Sequence, residues 1–144
     1  MLRRVAVPSK KLKPIAIVIP YRNDRDQNYQ VWCQIRHSSD ELNGLKEFPG
    51  GKIELSESPE EAAKREVLEE ASVELTMNDL EPFKLYTFQD GLLIRVFLYN
   101  DKRGLFERAN YISLMALCEQ TELIPPNNLE ILEDLIKYFQ EFRV

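Results

Sequence analysis

The stretch Gly51–Val73, GKIELSESPEEAAKREVLEEASV, decides how this chain is read. Within it, Ser58-Pro59-Glu60-Glu61 combines a serine able to cap a helix, a proline at the first helical position and a glutamate placed to return the cap. The sequence predicts a helix starting at Ser58 and running through Glu70, with Ala63, Val67 and Ala71 recurring on its buried side. Glu66, Glu69 and Glu70 are spaced by three and four residues, so they project from one side of that helix. Like charges at this spacing repel, and three of them beside a glycine loop cost stability unless a cation or an arginine neutralises them. Two readings follow from the helix alone. One is a solvated acidic face; the other is a set of hard oxygen ligands suited to Mg²⁺, with Mn²⁺ able to substitute.

Just upstream, Glu47-Phe48-Pro49-Gly50-Gly51 requires a tight loop, because paired glycines permit backbone angles closed to other residues. Further back, Pro14 to Pro20 is short, β-branched and bounded by prolines, as a buried strand is. Tyr21 to Asn28 reads as a loop. Tyr29 to Arg36 alternates, with Val31, Cys33 and Ile35 on one face and Trp32, Gln34 and Arg36 on the other, and so reads as a second strand. Downstream, Lys84 to Gln89 and Leu92 to Tyr99 read as strands about a two-residue Asp90-Gly91 turn. Tyr111 to Leu114 is a short strand or a helix start. From Asn128 to Phe142, Leu129, Leu132, Ile136 and Phe139 recur at helical spacing, with Asn127 or Asn128 able to cap the helix.

The 144 residues suffice for one core and are short for two, so one domain spanning 1–144 is expected. Arg3, Arg4, Lys10, Lys11 and Lys13 make the one basic run, and residues 1–13 read as a flexible basic tail or an edge segment. A net charge of −5 and a pI near 5.0 exclude general affinity for nucleic acid backbones, which rewards a strongly basic face. An acidic protein acting on anionic phosphates needs a cation between them. Neither a membrane-length apolar segment nor a secretory leader follows Met1, so a cytoplasmic protein with no membrane partner is expected. Cys33 and Cys118 show no metal-binding spacing and read as buried free thiols.

Gly51, five residues, Glu57, seven residues, Arg65-Glu66-Val67, one residue and Glu69-Glu70 resembles the Nudix signature GX5EX7REUXEEXGU, where U is aliphatic. Val73 meets the final aliphatic position. The one departure is Ser72, where the family has glycine. That residue follows the helix end, where a left-handed backbone is often required, and serine adopts it at a cost of about 1 kcal/mol.

The resemblance implies an α/β fold, a Nudix α/β/α sandwich with a mixed central sheet. It implies Mg²⁺-dependent hydrolysis of a nucleoside diphosphate linked to another phosphate-bearing group. By resemblance, Glu70 and Glu69 bind the metal with the backbone carbonyl of Gly50, while Glu66 either ligates a metal or accepts a proton from the attacking water. Arg65 would be the internal counter-ion orienting these carboxylates, and Glu57 an outer group.

Outside the signature the chain resembles the MutT branch, which hydrolyses oxidised purine nucleoside triphosphates such as 8-oxo-dGTP to the monophosphate and pyrophosphate. Four stretches carry this: Glu47 to Glu54 (EFPGGKIE), Arg36 placed eleven residues before Glu47, Tyr111-Ile112-Ser113-Leu114, and Pro125-Pro126-Asn127-Asn128. They imply substrate contacts from Arg36, Glu47, Phe48, Pro49, Gly50 and Asn128. The Asn128 amide offers donors and an acceptor to a purine edge, although helix capping is an equally ordinary use of asparagine. Gly91 falls where the branch has an arginine near the base. Glu107 is the one residue that could be the further acidic ligand, at a spacing shorter than the family's. His37 reads as a loop histidine, and Trp32 and Tyr111 as core aromatics with stacking on a base as the alternative. The expected partner is a small nucleotide, the expected assembly a monomer or homodimer, and stable nucleic-acid binding is not expected. Another Nudix substrate (CTP, ADP-ribose, a dinucleotide or an RNA 5′ end) and a catalytically silent nucleotide-binding module are the competing readings.

Overall fold

A computed structural model describes residues 11–24 and 28–141. Arg3, Arg4, Lys10 and Phe142 therefore lie outside the described residues. The first strand, β1 (Lys13–Asn23), is the axis of the molecule. Along one edge it pairs in parallel with β7 (Leu92–Asn100), from Lys13 opposite Leu92 to Tyr21 opposite Asn100. Its other edge is shared: β5 (Gly50–Lys52) takes Ile15 to Ile17 and β2 (Tyr29–Trp32) takes Tyr21 to Asn23, both antiparallel. With β6 (Glu81–Thr87) on β7 and β8 (Tyr111–Ser113) on β2, the result is a six-stranded mixed sheet ordered β6-β7-β1-β2-β8, with β5 on β1.

Sharing that edge explains Pro20 inside a central strand. The Val18 N–H points away from β7 to the Pro49 carbonyl at 2.9 Å, so two residues on the Pro20 nitrogen faces the same way. That direction leads into the gap between β5 and β2, where a missing N–H breaks no ladder bond.

The expected alternation puts two cores on opposite faces of the sheet. Ala16, Val18, Phe97 and Tyr99 meet Ala62, Ala63 and Val67 of α1 (Pro59–Ala71). Ile17, Ile19, Val96 and Leu98 meet Leu114 and Leu117 of α2 (Leu114–Glu119) and Ile131, Leu132, Leu135 and Phe139 of α3 (Asn128–Glu141). Full burial of one such side chain is worth roughly 1.5–3 kcal/mol, and this, more than helix propensity, holds α3 on the sheet. The architecture is the expected α/β/α sandwich. Among the described residues, no helix is long and apolar enough to cross a membrane.

Several expectations are corrected. Lys13 belongs to β1, tied by its N–H to the Gly91 carbonyl at 2.8 Å, so the strand takes in the last residue of the segment expected as a tail or edge segment. Tyr21, Arg22 and Asn23 are not loop, because pairing with β2 extends β1 through them. Tyr29 to Arg36 is two strands: Cys33 leaves the ladder to exchange bonds with Asn110, and Gln34–Ile35 (β3) then pairs with Lys46–Glu47 (β4) in a separate two-stranded sheet. Val31 and Cys33 reach the core as expected, while Ile35 is exposed. The β6–β7 turn has three residues, not two. Phe88 N–H bonds the Leu92 carbonyl and Gly91 N–H the Phe88 carbonyl, with Gly91 at φ +90°. Tyr111 to Leu114 proves to be both strand and helix start, Ser113 capping α2 through Ala116 N–H. Cys33 is a buried free thiol that burial pushes up to about 12, and Cys118 is only half-buried.

Candidate functional site

The capping box forms as read. Ser58 accepts the Glu61 N–H at 3.1 Å and the Glu61 carboxylate accepts the Ser58 N–H at 3.0 Å. At the other end Ser72 has φ 57° and ψ 32°, the left-handed conformation expected of a glycine, and its N–H bonds the Leu68 carbonyl. It is the one non-glycine residue with positive φ among those described.

These caps set the helix against β5, where Gly50 and Gly51, expected in a tight loop, are instead strand residues without positive φ; they are needed for close approach, because the packing leaves no room for side chains there. A Cβ on Gly51 would lie 2.6 Å from Cδ of Glu66, and one on Gly50 would lie 2.8 Å from Cα of Ile17. Glu66 thus presses on Gly51, and Glu70 accepts the Gly50 N–H at 2.8 Å. Glu70 is exposed as a residue, yet its carboxyl end is crowded by protein. Burial pushes its pKa up to about 7; the Gly50 N–H and Gln34 oppose the shift, and the negative charges of Glu66 and Glu47 add to it.

Arg65 organises the rest. Its fork grips both oxygens of Glu57 at 2.7 and 2.9 Å, Nη1 donates to Glu66 at 2.9 Å, Nη2 donates to the Lys52 carbonyl at 2.9 Å, and Glu69 lies 3.5 Å away. Hydrogen bonds from Arg65, then from the Glu54 N–H, hold the Glu57 carboxyl down at about 2. The arginine therefore ties the loop before the helix to the acidic face of the helix, which a point charge could not do in two directions.

On the other side of Gly50 and Gly51 a cleft of about 400 Å³ opens between the sheet and the start of α3. Ile15, Ile17, Leu92 and Ile94 line it with apolar surface, and Arg36, Glu47, Phe48 and Asn128 are among its other walls. The sequence thus named residues that do converge. Arg36 is held by its own neighbours, Glu47 at 3.3 Å, Asp40 at 3.0 Å and Ser38 at 3.2 Å. Burial raises the Glu47 pKa against the pull of Arg36. Pro49 is buried and contributes its carbonyl to Val18.

Other named residues lie apart. Glu107 offers its backbone carbonyl, which receives the Trp32 indole N–H at 3.1 Å, and its side chain is exposed. Among the described residues no three acidic, histidine or cysteine side chains, Glu107 included, enclose a metal ion by themselves. Trp32 packs edge-on against Phe106 in the α1-side core. Tyr111 donates to Asp101 at 2.7 Å beneath the guanidinium of Arg22, so both aromatics are structural. His37 is an exposed loop residue. The sequence reading missed Asp90, Asn127, Glu41 and Leu42 as cleft residues. Asp90 showed only as a turn signal and Asn127 only as a possible cap, whereas Asn127 Nδ2 donates to Asp90 at 3.2 Å.

Comparison with known proteins agrees with this geometry. The chain matches the NUDIX domain over residues 11–135. It is 35% identical over 65 residues to an 8-oxo-dGTP diphosphatase of Proteus vulgaris, a match covering 45% of this chain and 58% of the relative. It is 39% identical over 49 residues to an 8-oxo-dGTP diphosphatase of Escherichia coli, covering 34% of this chain and 38% of the relative. The alignments thus span less than two thirds of either relative. A MutT/nudix family protein from Listeria innocua superposes with a TM-score of 0.69 at 18% identity, covering 94% of this chain and 97% of the other, a likeness of fold. With the family match spanning residues 11–135 and taking in the glycines of β5 and the carboxylates of α1, the chain belongs to the Nudix family, in its MutT-like part.

Proposed function

We propose that this protein is a Mg²⁺-dependent pyrophosphohydrolase that cleaves an oxidised purine nucleoside triphosphate, 8-oxo-dGTP, to the monophosphate and pyrophosphate. One observation carries the reading: a single cleft runs from Phe48 and Asn128 to Gly50 and Gly51, and Glu66 and Glu70 reach those two glycines. A nucleotide with its base against Phe48 and Asn128 would bring its phosphates toward Gly50 and Gly51 of β5, which Glu70 and Glu66 contact. The cleft falls within the usual range of roughly 300–1,000 Å³ for small-molecule sites. The partial relatives named 8-oxo-dGTP diphosphatase favour the same substrate.

The donor set fits Mg²⁺. This ion is commonly held by one or two carboxylates, with water and substrate phosphate oxygens completing its octahedron. Glu66 against Gly51, Glu70 on the Gly50 N–H and Glu69 beside Arg65 put hard carboxylate oxygens at this end of the helix, the ligand type that such an ion takes. Glu66, Glu69 and Glu70 would hold it together with the Gly50 carbonyl. When bound, it lowers the pKa of water and offsets charge on the reacting phosphate. Arg65 keeps Glu66 aimed at Gly51 of β5 and holds Glu69 near it. Arg36 and Glu47 line the same cleft, and Asn128 offers donors and an acceptor to the purine edge that carries the oxo group.

Glu70→Gln keeps an acceptor for the Gly50 N–H, so the fold should survive while Mg²⁺-dependent turnover is lost; full activity would contradict the mechanism. Asn128→Ala should reduce the preference for 8-oxo-dGTP over dGTP. Equal damage to both substrates would remove Asn128 from base reading.

A further inference from the structure

At the end of the cleft remote from the glycines, two segments that are distant in the sequence are joined by side chains. Asp90, in the β6–β7 turn, accepts from Asn127 Nδ2 at 3.2 Å through one carboxylate oxygen and from the Leu92 N–H at 3.1 Å through the other. Both Asp90 and Asn127 line the cleft, beside Asn128 and the apolar surface of Leu92 and Ile94. An ionised carboxylate accepts hydrogen bonds and donates none, with about four lone-pair sites over its two oxygens. Each oxygen of Asp90 spends one site within the protein and keeps another. The same constraint fixes the Asn127 amide: its nitrogen must face Asp90, which leaves Oδ1 directed elsewhere. The pair therefore offers the cleft mainly acceptors.

Among the nucleobases, guanine answers this with two adjacent donors, its N1–H and its 2-amino group. Hypoxanthine lacks the amine. Adenine and cytosine each place a ring-nitrogen acceptor beside the amine, and uracil has a single N–H between two carbonyl oxygens, so none of them presents two adjacent donors. We infer that Asp90, with Asn127 fixed by it, is a specificity-determining residue that selects the guanine edge. The inference rests on the proposed reading of this cleft as the nucleotide site. It gives a function to the β6–β7 turn, where the resembling branch has an arginine and this chain has Asp90-Gly91. The 8-oxo group lies on another edge of the purine, so selection for guanine and selection for oxidation are separable.

The test is calorimetric binding of dGMP, dIMP and dAMP, without metal, to the wild-type protein, Asp90→Ala and Asp90→Asn. A hydrogen bond to a charged group predicts that the wild type binds dGMP roughly tenfold or more tighter than dIMP. Both variants should collapse that margin while leaving dAMP affinity in place. Asp90→Asn keeps an acceptor for the Leu92 N–H, so its loss of selectivity cannot be assigned to a collapsed turn. An undiminished dGMP margin in both variants overturns the role of Asp90 and leaves the cleft reading standing. No binding of any monophosphate to the wild type, or binding that Phe48→Ala leaves unchanged, overturns the cleft reading itself and the inference with it.

Discussion

Gly51→Ala separates catalytic geometry from stability. Gly51 has no positive φ, so its backbone tolerates alanine. The new Cβ would lie 2.6 Å from Cδ of Glu66, where ordinary contact begins near 3.4 Å. The carboxyl group must therefore retreat by the difference, about 0.8 Å. Arg65 cannot follow it, because the guanidinium is held by Glu57 at 2.7 and 2.9 Å and by the Lys52 carbonyl at 2.9 Å. Misplacement approaching 1 Å costs about 10²-fold in rate. The clash is with the far end of one side chain, so stability should fall by no more than about 1–2 kcal/mol, the scale of one weakened charge-assisted hydrogen bond. For a chain of this size that is a few degrees of Tm. Gly50→Ala is the contrast: its Cβ would meet Cα of Ile17 at 2.8 Å, backbone that cannot yield without parting β5 from β1, so this variant should fail to fold. Steady-state hydrolysis with Mg²⁺ and thermal unfolding, run side by side, read both effects. A folded Gly51→Ala with wild-type turnover, or a Gly50→Ala as stable as the wild type, would refute the reasoning.

Ser72→Gly removes a left-handed penalty of roughly 1–2 kcal/mol and adds unfolded-state freedom of roughly 0.5–1 kcal/mol, for a net gain of about 0.5–1 kcal/mol. Urea unfolding should show a higher midpoint with unchanged activity, and a lower midpoint would contradict the strain assigned to Ser72. Arg65→Lys keeps the charge and loses the fork, so activity in a Mg²⁺ titration should drop about 10–100-fold; wild-type activity would show that the bidentate grip on Glu57 is dispensable. Asp134 is held below the usual carboxylate range, first by the Tyr86 hydroxyl and then by Lys84. A depressed folded-state pKa adds stability above the unfolded value of about 3.9, and that stability is lost as pH falls through the folded value. Tyr86→Phe should therefore be less stable than wild type by about 1 kcal/mol at neutral pH, with the gap closing in acid; a gap independent of pH would contradict this coupling.

What the sequence revealed divides by range. The N-terminal cap of α1 and its acidic face follow from residues within a few positions of one another, so local chemistry predicts them, whereas the left-handed Ser72 is expected only from the glycine that the resembling family has there. The extension of β1 through Asn23 depends on β2 arriving antiparallel beside it, and the break at Cys33 depends on Asn110, 77 positions away. No local pattern encodes either. The cleft shows the same division. Phe48 and Asn128 were reached through resemblance to a family, whereas Asp90 and Asn127 become partners only when the sheet brings a turn against the start of α3. The backbone carbonyl of Glu107, which side-chain chemistry does not flag, is the group that holds Trp32.

The most direct test of the central claim is to incubate the wild-type protein with 8-oxo-dGTP and Mg²⁺ and to identify the products. The account predicts 8-oxo-dGMP and pyrophosphate, with turnover abolished by chelation and restored by added Mg²⁺. Release of orthophosphate instead, or turnover that survives chelation, would contradict it.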